Sequence, residues 1–155
     1  MDKFKIAHFE RDNPGRLFPE FRSLSPTEVQ AIQRKLLGRF GIDSSESVAS
    51  FLNLIASNEQ FVAGVNAEHS DFCLRSVLLA EGIQPESKLF VNWDRYNSID
   101  EFQTADLSTY FDYVWYPGSD DIDIFDNTMS WILSVRHDGA VSLTKNDPVP
   151  RQHSR

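Results

Sequence analysis

The stretch Trp131-Ile132-Leu133-Ser134-Val135-Arg136-His137-Asp138-Gly139-Ala140-Val141-Ser142-Leu143-Thr144 decides the fold class of this chain. Apolar and polar residues alternate from Leu133 to Arg136 and from Val141 to Thr144, on the two sides of Asp138-Gly139, a dipeptide suited to a type I′ hairpin because both central positions need positive φ and glycine tolerates it best. The pattern predicts two antiparallel strands, Trp131 to His137 and Ala140 to Thr144, with Trp131, Leu133 and Val135 sharing a face with Val141 or Leu143.

Upstream, Tyr113 to Tyr116 and Asp121 to Phe125 read as two further short strands, which makes an antiparallel meander the natural arrangement. Leu89-Phe90-Val91-Asn92-Trp93 is rich in β-branched and aromatic residues and adds another strand. Between them, Ser98-Ile99-Asp100-Glu101 has the capping-box pattern and predicts a short helix toward Phe102.

The first half of the chain carries the helical period instead. Ser25-Pro26-Thr27-Glu28 places a capping hydroxyl, a proline and a glutamate where a helix begins, and Val29, Ile32, Leu36 and Phe40 follow at helical spacing before Gly41. Asp43-Ser44-Ser45-Glu46 repeats the box ahead of Val48, Phe51, Leu52 and Ile55. Asn66 can cap a third helix through Phe72, Arg75, Leu78 and Leu79, with Gly82 and Pro85 as stop signals. Phe61 to Val65 is ambiguous. At the start, Phe4, Ile6 and His8 alternate with Lys3 and Lys5, which suits a half-exposed strand closed by the Asn13-Pro14-Gly15 turn. The expected architecture is therefore α+β, a helical N-terminal half packed against a C-terminal antiparallel β-meander. One domain is expected over residues 1–145, and the polar, proline-bearing tail 146–155 is expected to lack fixed structure.

At 155 residues and 41% hydrophobic, the chain can bury one core without metals or disulfides. Cys73 is the single cysteine, so no internal disulfide forms, and the opening residues lack the apolar run of a signal peptide. With no run long enough to span a bilayer, a cytoplasmic location is expected. The net charge of −8 argues against nucleic acid as a partner. That charge is uneven, because residues 81–126 hold 2 basic and 11 acidic groups, net −9.

Within that segment, Ser119-Asp120-Asp121-Ile122-Asp123-Ile124-Phe125-Asp126 is the conspicuous cluster. Read as a strand, it turns Asp121 and Asp123 to one face and the isoleucines to the other. Three uses compete. The bland one is a solvated face whose aspartates discourage edge pairing. A strip of fixed carboxylates can also steer a basic protein into contact. Finally, two aspartates could supply oxygen ligands to Mg²⁺ or Ca²⁺, although the calcium-loop pattern fails because Phe125 stands at the third ligand position. Trp93, Tyr96, Tyr110, Tyr113, Trp115 and Tyr116 fall in or beside the same segment and have the chemistry of interface anchors, or of core residues beneath helices. Cys73, between Phe72 and Leu74, reads as an inert core thiol. His8, His69, His137 and His153 have no zinc spacing, and nucleophile-elbow, P-loop and dinucleotide signatures are absent. No metal or cofactor is expected.

The run Tyr113-Val114-Trp115-Tyr116-Pro117-Gly118-Ser119-Asp120-Asp121, followed by Ile124-Phe125-Asp126 and by Ser130-Trp131 through His137-Asp138-Gly139, resembles the small acidic immunity proteins of bacterial polymorphic toxin systems. The resemblance covers about a third of the chain and lies in structural elements more than in chemical ones. It implies a cytosolic inhibitor, not an enzyme, that docks on a basic toxin such as a nuclease through acidic and aromatic contacts. On that reading Asp120, Asp121, Asp123 and Asp126 steer the partner, while Trp115 and Tyr116 anchor it. The alternatives are a metal-dependent enzyme built on the Asp120–Asp126 cluster and a structural homo-oligomer subunit.

Overall fold

The computed structural model describes residues 1–43 and 45–146; the tail from residue 147 lies outside the described residues. The elements run α1 (Lys3–Asp12), β1 (Phe21–Ser23), α2 (Pro26–Arg39), α3 (Val48–Asn58), β2 (Gln60–Asn66), α4 (Leu74–Ala80), β3 (Lys88–Asp94), β4 (Ser98–Gln103), α5 (Thr104–Thr109), α6 (Phe111–Val114), β5 (Ile122–Phe125), β6 (Trp131–Val135) and β7 (Ala140–Lys145). The strands form one antiparallel sheet of order β1-β4-β3-β5-β6-β7-β2, so the C-terminal strands make its middle and strands from the first half close both edges.

The fold class agrees with the expectation, with helices concentrated in the N-terminal half and strands in the C-terminal half. The capping box at Ser25 forms in full, with the Ser25 hydroxyl accepting from Glu28 N and the Glu28 carboxylate accepting from Ser25 N. Leu133 opposes Leu143 and Val135 opposes Val141, the pairing the alternation predicts.

Helices cover both faces of the sheet. Leu89, Val91, Phe102, Ile122, Ile124, Leu133, Val135, Val141 and Leu143 pack with Phe9 of α1, Leu74 and Leu78 of α4, Leu107 of α5 and Phe111 of α6. Phe90, Ile99, Phe125 and Ile132 pack on the other side with Val29, Leu36 and Leu37 of α2 and Phe51 and Ile55 of α3. A sheet covered on both sides ordinarily has strands that read as continuous apolar runs. Here the second face carries a row of directly opposed polar residues, Asn92, Asp123, Ser134 and Ser142, on four adjacent strands, and all four are buried. Their alternation imitates a solvent face.

Five local expectations are corrected. The opening segment is helix α1, not a strand: Lys5 and Phe9, four apart, are its buried positions, so the apparent alternation around Lys5 was a poor guide. Ser98–Gln103 is strand β4, held between β1 and β3, and the helix begins only at Thr104; cross-strand pairing on both sides outweighs the local capping pattern. Tyr113 and Val114 end helix α6 instead of opening a strand. The second box does not cap α3, which starts at Val48 after Ser47 with no side-chain cap, while Asp43 instead accepts from Ser45 N. Asn66 ends β2, and α4 starts later, at Leu74.

The hairpin of β6 and β7 forms, though with a different turn. Gly139 N donates to Arg136 O and Arg136 N to Ala140 O, and Gly139 alone of the loop residues has positive φ, +83°. This is a three-residue loop in which glycine supplies the left-handed position. Positive φ at both central positions occurs instead at Arg95 (42°) and Tyr96 (62°), between β3 and β4. The Asn92 side chain supports that turn by accepting from Tyr96 N at 2.7 Å, and the Tyr96 ring folds back under α3 against Phe51 and Phe125.

Candidate functional site

Four aspartates follow Pro117 within ten residues, but the fold sends them in different directions. Asp120 accepts from the Lys5 ammonium and from Tyr116 N at 2.8 Å, tying the loop after α6 to α1. Asp121 is the exposed member, 53% accessible, and accepts from His137 N and Nδ1 at 2.8 and 3.0 Å. Partial burial works against its ionisation, yet the His137 backbone and ring bonds hold its carboxyl below the ordinary aspartate range. Asp123 lies in the buried polar row, where it accepts from Ser134 Oγ at 2.6 Å, with Arg136 Nη1 at 3.3 Å. Asp126 is fully buried and accepts from Thr128 N at 2.9 Å, Thr128 Oγ1, Trp131 Nε1 at 3.3 Å and Glu86 N at 3.3 Å.

The expected outward strip is therefore not assembled. Two of its carboxylates lie inside the protein, Asp123 because helices cover the face that alternation assigned to water and Asp126 because it turns in past the end of β5 to take donors from Glu86, Thr128 and Trp131, and each of the four already has donors from its own chain. Among the described residues, no three His, Cys, Asp or Glu side chains converge as a metal site would require.

Trp115 and Tyr116, adjacent in sequence, part company. Trp115 is 2% exposed, stacks on Phe111 and donates Nε1–H to Asp120 O at 3.0 Å, so it is a core residue and not a surface anchor. Tyr116 is half-buried and forms the centre of an aromatic surface that sequence reasoning missed. The α1 residues Phe4, His8 and Asp12 stand four apart on one flank of the helix and meet Tyr116 and Tyr113. Phe4, 65% exposed, packs edge-on against Tyr116 and beside His8. His8 Nδ1 bonds to the Tyr116 hydroxyl, and its Nε2 lies 3.1 Å from Asp12 Oδ2, to which Tyr113 OH also donates at 3.5 Å. Beneath them the Lys5 ammonium sits 4.4 Å from the Trp93 ring and 4.9 Å from that of Tyr116, and donates to Val114 O at 2.7 Å. Burial, and then the nearby charges of Asp120 and Asp12, push the Tyr116 phenol above its ordinary value, so it stays protonated and serves as a hydrogen-bonding tip.

No protein-family model, curated protein or solved structure matches this chain. Among the described residues, no helix is long and apolar enough to cross a membrane.

Cys73 differs from its sequence reading in one respect. It is half-buried at the start of α4 and borders a cavity of about 220 Å³ with Asn66, Phe72 and Ser76. Hydrogen bonds from Ser76, and then Ser108, hold its thiol below the ordinary cysteine value.

The signal that could have revealed the aromatic surface was the i, i+4, i+8 series Phe4, His8, Asp12, legible once the opening segment is read as a helix.

Proposed function

We propose that this protein is a protein-binding module that docks on a basic partner, the role implied by its resemblance to immunity proteins, and that its contact surface is the aromatic cluster of Phe4, His8, Tyr113 and Tyr116. The observation that carries this reading is Phe4, a large apolar side chain left 65% exposed while leaning on a tyrosine and a histidine that already bond to each other. Aromatic groups held rigid by their neighbours lose little entropy on binding and dominate interface energetics. The net charge of −8 favours basic partners over acidic ones by long-range attraction. Of the aspartates first singled out, Asp120 braces this surface and Asp121 stands exposed for steering, whereas Asp123 and Asp126 act on the fold.

The test is a binding titration against the product of the neighbouring open reading frame, or against partners captured from the native host, with wild type, Phe4→Ala, Tyr116→Ala and Asp121→Ala. Loss of affinity by tenfold or more in the two aromatic variants, with a smaller and salt-sensitive loss in Asp121→Ala, supports the reading. Full affinity in both aromatic variants removes this surface from the contact.

A further inference from the structure

We propose that the groove between α2 and β1 binds a small amphipathic monocarboxylate, a short-chain or aryl acid. The groove has a volume of about 260 Å³ and lies on the α2–α3 side of the sheet. Phe90 forms its floor, and Leu24, Ala31 and Ile32 form its walls. Leu24 and Ile32 pack against the core on one side and remain partly exposed on the other, so the fold leaves an apolar trough uncovered. Its volume falls just below the roughly 300–1,000 Å³ typical of small-molecule sites, which limits the occupant to a compact ligand.

Charge at the mouth selects the ligand's polar end. Arg22 and Glu28 face each other there in an ion pair that Glu101 extends, so the charge of Arg22 is already balanced by carboxylates of its own chain. Lys35 differs, because among the described residues its ammonium donates to Asn127 alone, at 2.7 Å to the backbone carbonyl and 2.9 Å to the side-chain oxygen. Both acceptors are neutral, and among the described residues no carboxylate lies within ion-pairing distance of Lys35. An ammonium has three donors, so one remains to meet an anion at the edge of the trough. Helix α2 carries Arg34, Lys35 and Arg39 against the single acid Glu28, a locally positive element within an acidic chain. A carboxylate on a short apolar body matches both features. A neutral analogue satisfies only the apolar walls, and a cationic one opposes Lys35.

The experiment is an NMR titration of the full chain with hexanoate, hexan-1-ol and hexylammonium, following the amides of Leu24, Ile32 and Phe90. Hexanoate is expected to shift these signals saturably in the millimolar range, about tenfold more tightly than hexan-1-ol, with hexylammonium the weakest. Lys35→Gln should bring hexanoate down to the level of the alcohol, and Lys35→Arg should retain most of the difference. Lys35 is exposed, so both variants keep the fold; Ile32→Glu, which places a charge in the trough, provides an independent loss of binding. Absence of saturable shifts at these residues, equal affinity for acid and alcohol, or undiminished hexanoate binding by Lys35→Gln would overturn the proposal.

Discussion

Replacing Gly139 with alanine tests the joint on which the C-terminal half turns. Two separate costs are expected. Gly139 has φ +83°, and holding an L-residue in that region costs about 1–2 kcal/mol. A Cβ built there also falls 2.0 Å from Asn66 Oδ1, so the Asn66 side chain must leave. In doing so it surrenders the bond that Oδ1 accepts from Glu68 N at 2.8 Å and the longer one that Nδ2 donates to Asp138 O at 3.4 Å. Together these are worth about 1–2 kcal/mol, which gives a total of about 2–4 kcal/mol for Gly139→Ala. Gly118 supplies the control, because its φ is +80° and nothing lies within 4 Å of its added Cβ, so Gly118→Ala isolates the backbone cost of about 1–2 kcal/mol. Loss of glycine flexibility from the unfolded chain offsets both variants equally, by about 0.4–1 kcal/mol. Urea denaturation of the two variants, alone and with Asn66→Ala, measures the difference, which should vanish once Asn66 is removed. Equal destabilisation by Gly139→Ala and Gly118→Ala in the wild-type background would refute the assignment of Asn66 as the obstructing group.

The four aspartates after Pro117 should separate sharply under mutation. Asp126→Ala, which orphans donors from Thr128, Trp131 and Glu86, is expected to cost about 3–5 kcal/mol, whereas Asp121→Ala should cost less than about 1 kcal/mol. Chemical denaturation distinguishes them, and similar losses would contradict the buried placement of Asp126. The capping box predicts a pH effect of defined sign. The Ser25 amide, and then the Arg22 guanidinium, hold the Glu28 carboxyl below its ordinary value, so its contribution is complete above an unfolded pKa of about 4.3 and disappears as pH falls through the lower folded value. Thermal melts below that point should therefore show Glu28→Gln losing less stability on acidification than wild type, and parallel curves would exclude the linkage.

The sequence made legible those elements whose local signals agree with their tertiary surroundings. Ser25–Glu28 caps a helix that nothing else competes for, and the Trp131–Leu143 alternation faces a partner with matching alternation. Ser98–Glu101 carries the same local signal as Ser25–Glu28, yet it lies one residue past the Arg95–Tyr96 turn and is drawn into pairs with β3 and β1. That turn has no glycine to announce it; it depends on Asn92, a side chain from the preceding strand. The aromatic surface was hidden because the opening segment read as a strand, and Asp123 was misplaced because its polarity suggested water although it accepts from Ser134 inside the protein. Lys5 misled in the same way, being a charged residue whose ammonium is enclosed by Trp93, Tyr116 and Asp120. Pairing between distant polar groups leaves no mark in a local pattern.

The attachments of α1 and β2 also bear on how the chain is made. Lys5 bonds to Val114, 109 residues downstream, and β2 is hydrogen-bonded to β7, where Phe61 faces Ser142. While the polypeptide emerges from a ribosome, Lys5 lacks its acceptor until Val114 has been made, and β2 lacks its partner strand until β7 has been made. The edge of β2 that pairs with β7 stays bare until the β6–β7 hairpin exists, so this side of the sheet closes late and slowly, as distant pairings do. A premature stop ahead of that hairpin would leave an adhesive fragment, one that cellular quality control would have to clear.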